Sequence, residues 1–311
     1  MRRTLSILAA LLAALLMAAP VGAITNGTAD AGEHPYVGEL LFYVPDFQDS
    51  RFDDPGGWFT CSGTLFNSTI VVTAGHCTFG VGLNGVSTTH DGKDTNAAEG
   101  GVGGNDVWVN FDEAPDFSIL PPSSTFGRDE NGDRYVAWRN ALNGSSHWHR
   151  GTATPHPLYD DLAFFVHDAG VVDLASSVSM PKYGKLAGRD WLDQYRSQPK
   201  NEHRFETVGY GLERVQGKKA FGGDTRMKAE PMLISLTSHP ADAYIVLSNN
   251  TATGGTCFGD SGGPTFDNTS SNLVVAVTSW GQNGNCAGKG GVYRLDQPDD
   301  EAFLARFGIT P

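Results

Sequence analysis

The chain has 311 residues, among them 39 Gly and 16 Pro, with 40% apolar and 18% charged residues. That is length for two domains of roughly 150 residues and apolar content for a core, which excludes a disordered chain. Acidic residues outnumber basic ones by 35 to 22, a formal charge of −13, with no Lys/Arg-rich run. Such a balance argues against nucleic acid or an anionic membrane as the partner. The glycines follow no Gly-X-Y period, so they read as turns.

The chain opens on Met1-Arg2-Arg3, followed by an apolar run from Ile7 to Ala19 and then by Val21, Gly22 and Ala23. A basic start, a short apolar stretch and small residues at its end predict a secretory signal peptide over residues 1–23, cleaved after Ala23. The run is short of the roughly 20 apolar residues that a membrane span needs. A secreted, extracellular protein, free of the membrane once the signal is removed, is the expectation. Cys61, Cys77, Cys257 and Cys286 all follow the cleavage site. An even count in an exported chain favours disulfides, and no C-x2-C pair suggests zinc; three connectivities remain open.

Strand-like patches, rich in β-branched and aromatic residues, recur along the chain. They fall at Val37–Val44, Thr69–Thr73, Val107–Phe111, Leu162–Val166, Phe205–Tyr210, Ala243–Leu247, Leu273–Trp280 and Val292–Leu295. Helical periodicity is confined to Leu186–Tyr195 and Pro298–Phe307, the latter opening on Asp299-Asp300-Glu301 where carboxylates suit the dipole. Gly80–Gly104 and Gly127–Gly144 are glycine-rich and aperiodic, and read as surface loops. Strands with a terminal helix predict an all-β fold, with barrels as its form.

Three motifs stand in order: Thr73-Ala74-Gly75-His76-Cys77, Asp161-Leu162-Ala163-Phe164, and Cys257-Phe258-Gly259-Asp260-Ser261-Gly262-Gly263-Pro264. A serine hydroxyl needs a base to take its proton, histidine suits that near neutral pH, and a carboxylate fixes its tautomer. Gly-Asp-Ser-Gly-Gly-Pro alone arises by chance on the order of once in 10^4 such chains. Together the motifs resemble the trypsin/chymotrypsin family of serine proteases, from about Ile24 to the C-terminal helix and more weakly across Thr78–Pro155.

The resemblance implies two six-stranded antiparallel Greek-key barrels closed by a C-terminal helix, divided at Ala169: residues 24–169, then 170–311. It implies Ser261 as nucleophile, His76 as base and Asp161 as orienting carboxylate; Asp160 is the adjacent rival, but Asp-Leu-Ala aligns Asp161 better. Gly259 and Ser261 would supply the oxyanion hole. Gly255, Thr256, Phe258, Ser279, Trp280, Gly281 and Gly291 would form the substrate pocket. Disulfides Cys61–Cys77 and Cys257–Cys286 are implied. So is an activating pair between a new N-terminus at Ile24 and Asp260, since Ile24-Thr25-Asn26-Gly27 resembles the family's start. Gly255 stands where the trypsin branch carries an aspartate, so cleavage is expected after bulky apolar residues.

The order of the motifs excludes the G-x-S-x-G elbow of α/β-hydrolases, because the last histidine, His239, precedes Ser261. An inactive protease-fold binding protein is the alternative. Asp129-Glu130-Asn131-Gly132-Asp133 begins like a calcium loop but lacks its later ligands, and His147-Trp148-His149 is an ordinary strand pair. No cofactor and no metal are expected, and protein or peptide substrates, with a monomer. Sequons at Asn26, Asn67, Asn143, Asn249 and Asn268 matter only in a glycosylating host.

Overall fold

The computed structural model describes residues 24–82, 104–163, 165–199, 202–236, 243–268 and 272–311. The predicted signal peptide and most of the Gly80–Gly104 loop lie outside them. The first half contains β1 (Thr28–Ala29), β2 (Val37–Val44), β3 (Gly57–Leu65), β4 (Ile70–Thr73), β5 (Val107–Asn110), α1 (Asn131–Gly144), β6 (Trp148–Pro155) and β7 (Gly170–Leu174). The second contains β8 (Lys185–Leu186), β9 (Phe205–Gly209), β10 (Arg214–Gln216), β11 (Lys219–Phe221), β12 (Met227–Ala229), β13 (Leu233–Ser235) and β14 (Tyr244–Asn249). It ends with β15 (Pro264–Asp267), β16 (Leu273–Gly281), β17 (Gly288–Arg294) and α2 (Pro298–Ala305).

Strands β2-β3-β4-β7-β6-β5 close into a six-stranded barrel. The other half is a nine-stranded sheet, ordered β1-β12-β9-β15-β16-β17-β14-β13 with β8 alongside β16, a half-barrel that with the closed barrel and the terminal helix makes the expected all-β fold. Both are antiparallel except for the β8–β16 pair. The division at Ala169 is corrected by pairing: β7 lies between β4 and β6 in the first barrel, while β1 crosses to the second sheet. Val37, Leu40, Val72, Val109 and Val172 fill the first barrel, and Ile245, Val275 and Val292 pack in the second sheet.

Three expected elements differ. Gly127–Gly144 is a helix from Asn131, not a loop. Its stability comes from tertiary contacts: the Asn131 amide donates to the carbonyls of Asp54, Pro55 and Gly56, and Leu142 packs with Trp108 and Trp148. The candidate calcium stretch is the start of this helix, with the Glu130 carboxylate accepting from the Gly127 N–H. Leu162–Val166 is not a strand; Asp161–Ala163 is a 3-10 turn whose Leu162 is 81% exposed, so that side chain faces outward instead of into a core. Leu186–Tyr195 divides into β8 and a 3-10 turn at Trp191–Tyr195.

A buried ionic network ties the halves together. Arg226 donates through Nη1 to the carbonyls of Val37 and Phe111, both in the first half, and to the Tyr210 hydroxyl. Its Nε reaches Asp30 at 2.9 Å, and His34 Nδ1 lies 2.6 Å from the other Asp30 oxygen. Burial pushes the Asp30 carboxyl up, but its bonds to His34 and Arg226 outweigh burial and hold it at about 2. Burial likewise lowers His34, and Asp30 with Glu206 more than reverses it. Asp30 therefore stabilises the fold at every pH above the ordinary carboxylate range, and that contribution is lost as pH falls toward 2. Removing the charge leaves a buried guanidinium short of its partner, so Asp30→Asn should cost about 3–5 kcal/mol at pH 7 in urea unfolding. An unchanged midpoint would show that the network contributes nothing.

Candidate active site

His76 sits in a 3-10 turn, Gly75–Cys77, directly after β4. The Cys61–Cys77 disulfide fastens this turn to β3, and a Cβ on Gly75 would meet the Tyr159 ring at 2.7 Å. The imidazole Nδ1 lies 3.0 Å from both oxygens of Asp168, and the His76 backbone N–H donates to Asp168 Oδ1 at 2.9 Å. The Ser279 hydroxyl donates to Asp168 Oδ2 at 2.6 Å. Asp168 is fully buried at the entry to β7, while a quarter of the His76 side chain is exposed. Burial lowers the imidazole pKa, but the Asp168 charge and hydrogen bond outweigh it and hold His76 above its ordinary 6.5.

The carboxylate on His76 is thus that of Asp168 and not Asp161, which corrects the expected partner. Asp161 stands half-buried in a turn seven positions earlier, on the wall of the larger cavity, and the Asp160 carboxylate accepts from the Leu162 N–H. Asp168-Ala169 leads straight into the buried strand Gly170–Leu174, so burial and a preformed backbone place its side chain under the histidine. The signal available in the sequence was an aspartate just ahead of a Val-Val strand.

Ser261 lies in the tight segment between the Cys257–Cys286 disulfide and β15. Gly259 has φ +96°, and a Cβ there would stand 2.8 Å from the Gly211 Cα, so glycine is needed for this approach. The Ser62 hydroxyl donates to the Gly259 carbonyl at 2.9 Å and accepts from the Tyr210 N–H, and the Ser62 N–H donates to the Ser261 carbonyl. These bonds from the first barrel fix the peptide before Asp260 and the peptide after Ser261. The Asp260 carboxylate is fully buried and accepts from the N–H groups of Gly211 and Cys257 at 2.8 and 2.7 Å. Burial raises it to about 7, against the pull of those two bonds. Ile24 is also fully buried, and its nitrogen donates to the Gly211 carbonyl at 3.3 Å. One peptide segment, at Gly211, therefore joins Ile24 to Asp260.

Ser261, His76 and Phe258 stand where two cavities meet. The smaller, about 510 Å³, is walled by Thr256, Ser279, Trp280 and Gly281, and none of its described lining residues carries a carboxylate, ammonium or guanidinium. Gly255 and Gly291 lie off its wall. Gly255 packs under Asn249 and pairs with Thr25, and Gly291 lies beneath the Trp280 indole, where a Cβ would come within 2.1 Å of the ring. The larger cavity, about 780 Å³, runs between the first barrel and the Gly211 segment.

The family model described as Trypsin matches residues 137–296, just over half of the chain. The chain belongs to the Trypsin family. The match contains Asp168 and Ser261, and His76 lies ahead of it. No curated protein matches the chain. Among solved structures, HL collagenase aligns with a TM-score of 0.57 and 15% identity, over 93% of this chain and all of that one, which shows the same fold. As a Trypsin-family chain, it has a serine protease's architecture, with the Ser261 segment supplied by the second sheet and the His76 turn by the barrel.

Proposed function

We propose that the protein is a secreted serine endopeptidase that acts through Ser261, His76 and Asp168. The observation that carries this reading is the buried Asp168 carboxylate on His76 Nδ1, which leaves Nε2 for a neighbouring hydroxyl. Ser261 Oγ attacks the scissile carbonyl while His76 Nε2 takes its proton, and the imidazolium that forms is stabilised by Asp168. The N–H groups of Gly259 and Ser261 receive the developing oxyanion. His76 then returns the proton to the leaving amine, and water hydrolyses the acyl-enzyme through the same base. Ser279 acts as a positioning residue: its hydroxyl occupies one Asp168 oxygen and favours the orientation that serves His76.

The smaller cavity accepts the side chain before the scissile bond. Its uncharged described lining supports a bulky apolar residue there, since a buried Arg or Lys would lack a counter-charge. Activation follows the N-terminus. Signal cleavage after Ala23 frees the Ile24 ammonium beside Gly211, where Asp260 is a buried carboxylate offset only by two N–H donors; the ammonium supplies its cation.

Four outcomes test this reading. Asp168→Asn should lower kcat about 10^4-fold, while Asp161→Asn stays near wild type. The kcat/KM of the wild type should fall on acidification through one protonation, at a pKa above 6.5; an optimum near pH 4 would contradict the base. A Phe-anilide should be hydrolysed faster than an Arg-anilide, and the reverse order would overturn the pocket assignment. Finally, secreted material should begin Ile-Thr-Asn-Gly, and a form retaining one residue before Ile24 should fold but lose most activity. Full activity in that form would remove the Ile24–Asp260 pair from the account.

A further inference from the structure

We propose that the far end of the larger cavity is a carboxylate-binding subsite, with Arg134 and Arg51 as its cations, selecting substrates that carry an acidic group C-terminal to the scissile bond. The inference rests on the peptidase reading, in which the smaller cavity takes the acyl side and the larger one the leaving side. Both arginines line the 780 Å³ cavity whose other end holds Ser261 and His76. Its wall includes Phe42, Phe59 and Trp58, and it also carries the carboxylates of Asp161 and Asp224. An extended peptide advances about 3.3 Å per residue, so a substrate leaving Ser261 along this wall reaches the arginines several residues past the cleaved bond.

The charge at that end is unbalanced. Arg134, on α1, is only 1% exposed, and its Nε and Nη2 donate to nothing among the described residues. Its guanidinium stacks on Phe52 at 4.3 Å and on Trp138 at 5.6 Å from the ring centroids. The nearest carboxylate described as an ion partner is Asp49, 3.9 Å from Nη2. Asp49, however, is already engaged by Arg51, whose Nε donates at 2.9 and 3.1 Å and whose Nη2 donates at 2.6 Å. Among the described ion pairs, two guanidinium groups thus share the one Asp49 carboxylate, in a groove that begins at the nucleophile. A buried cation that shares its counter-charge is costly, and a carboxylate seated in the cavity supplies further negative charge to the pair. Burial and the neighbouring Arg51 both depress the Arg134 pKa, in keeping with a site short of anions. The group can come from an internal Asp or Glu or from a free C-terminus; the chemistry is shared.

The test uses internally quenched peptides with Phe before the cleaved bond. Glu is moved through each of the following positions, with Gln as the uncharged control, and parallel peptides end there as free acid or amide. At one position the acid should raise kcat/KM about tenfold or more over its neutral control, and the Glu or the free-acid series identifies the source. Arg134→Met and Arg51→Gln should bring that ratio toward one. Should Arg134→Met fail to fold, Arg51, whose side chain is 64% exposed, keeps the test open. Equal rates for acid and neutral peptides at every position overturn the subsite while leaving the peptidase reading intact. If no peptide is cleaved, that reading fails, and calorimetry with the Ser261→Ala variant decides the subsite alone: tighter binding of the acidic peptide supports it, and equal binding refutes it.

Discussion

The Asp168 carboxylate is where the separate parts of the site converge. It accepts from the backbone and ring of His76, on a turn of the first barrel, and from the hydroxyl of Ser279, on β16 of the second sheet. It lies itself at the start of β7, which closes the barrel between β4 and β6. A charge this deeply buried is tolerated only with several donors. The donors come from both halves, so the condition for burying Asp168 is also the condition for assembling the site. Any shift of one sheet against the other would strand the carboxylate.

A second buried carboxylate, Asp260, does the corresponding work on the nucleophile's side. Its two N–H donors come from Cys257 and Gly211, and the Gly211 carbonyl is where the Ile24 nitrogen arrives. Ser62, from β3, meanwhile pins the carbonyl of Gly259. The peptide groups that would hold an oxyanion are fixed through their own carbonyls, Phe258 accepting from the Leu212 N–H and Asp260 from the Gly263 N–H, with the pinned Gly259 carbonyl between them. The two carboxylates differ in what they lack: Asp168 is surrounded by donors, while Asp260 is raised to about 7 by burial. That contrast makes the second a natural place for a cation to act on the site.

Local chemistry determined how much could be read from the sequence. Gly259-Asp260-Ser261-Gly262-Gly263 is legible because the local backbone itself favours glycine, with φ of +96° at Gly259 and +74° at Gly262. His76 is legible for the same reason, in a turn bracketed by Gly75 and Cys77. The histidine's partner was not. Asp161-Leu162-Ala163 carries the expected local pattern, but its Leu162 is exposed and its carboxylate makes no described bond to His76, whereas Asp168 is defined by the burial of the strand behind it. Helix α1 escaped for a related reason: Asn131, Gly132, Asn140 and Gly144 are poor helix formers, and its support comes from Asp54–Gly56 and from Trp108 and Trp148. Without that helix Arg134 has no place in the sequence pattern, and the larger cavity has no far end.

The account depends most on the charge of Asp168 setting the state of His76. An NMR titration of the His76 ring in 15N-labelled protein reads that coupling without recourse to activity. The wild type and Asp161→Asn should titrate together at a pKa above 6.5, and Asp168→Asn should titrate lower, because burial then acts unopposed. An unchanged value in Asp168→Asn, or a fall in Asp161→Asn, would contradict the assignment.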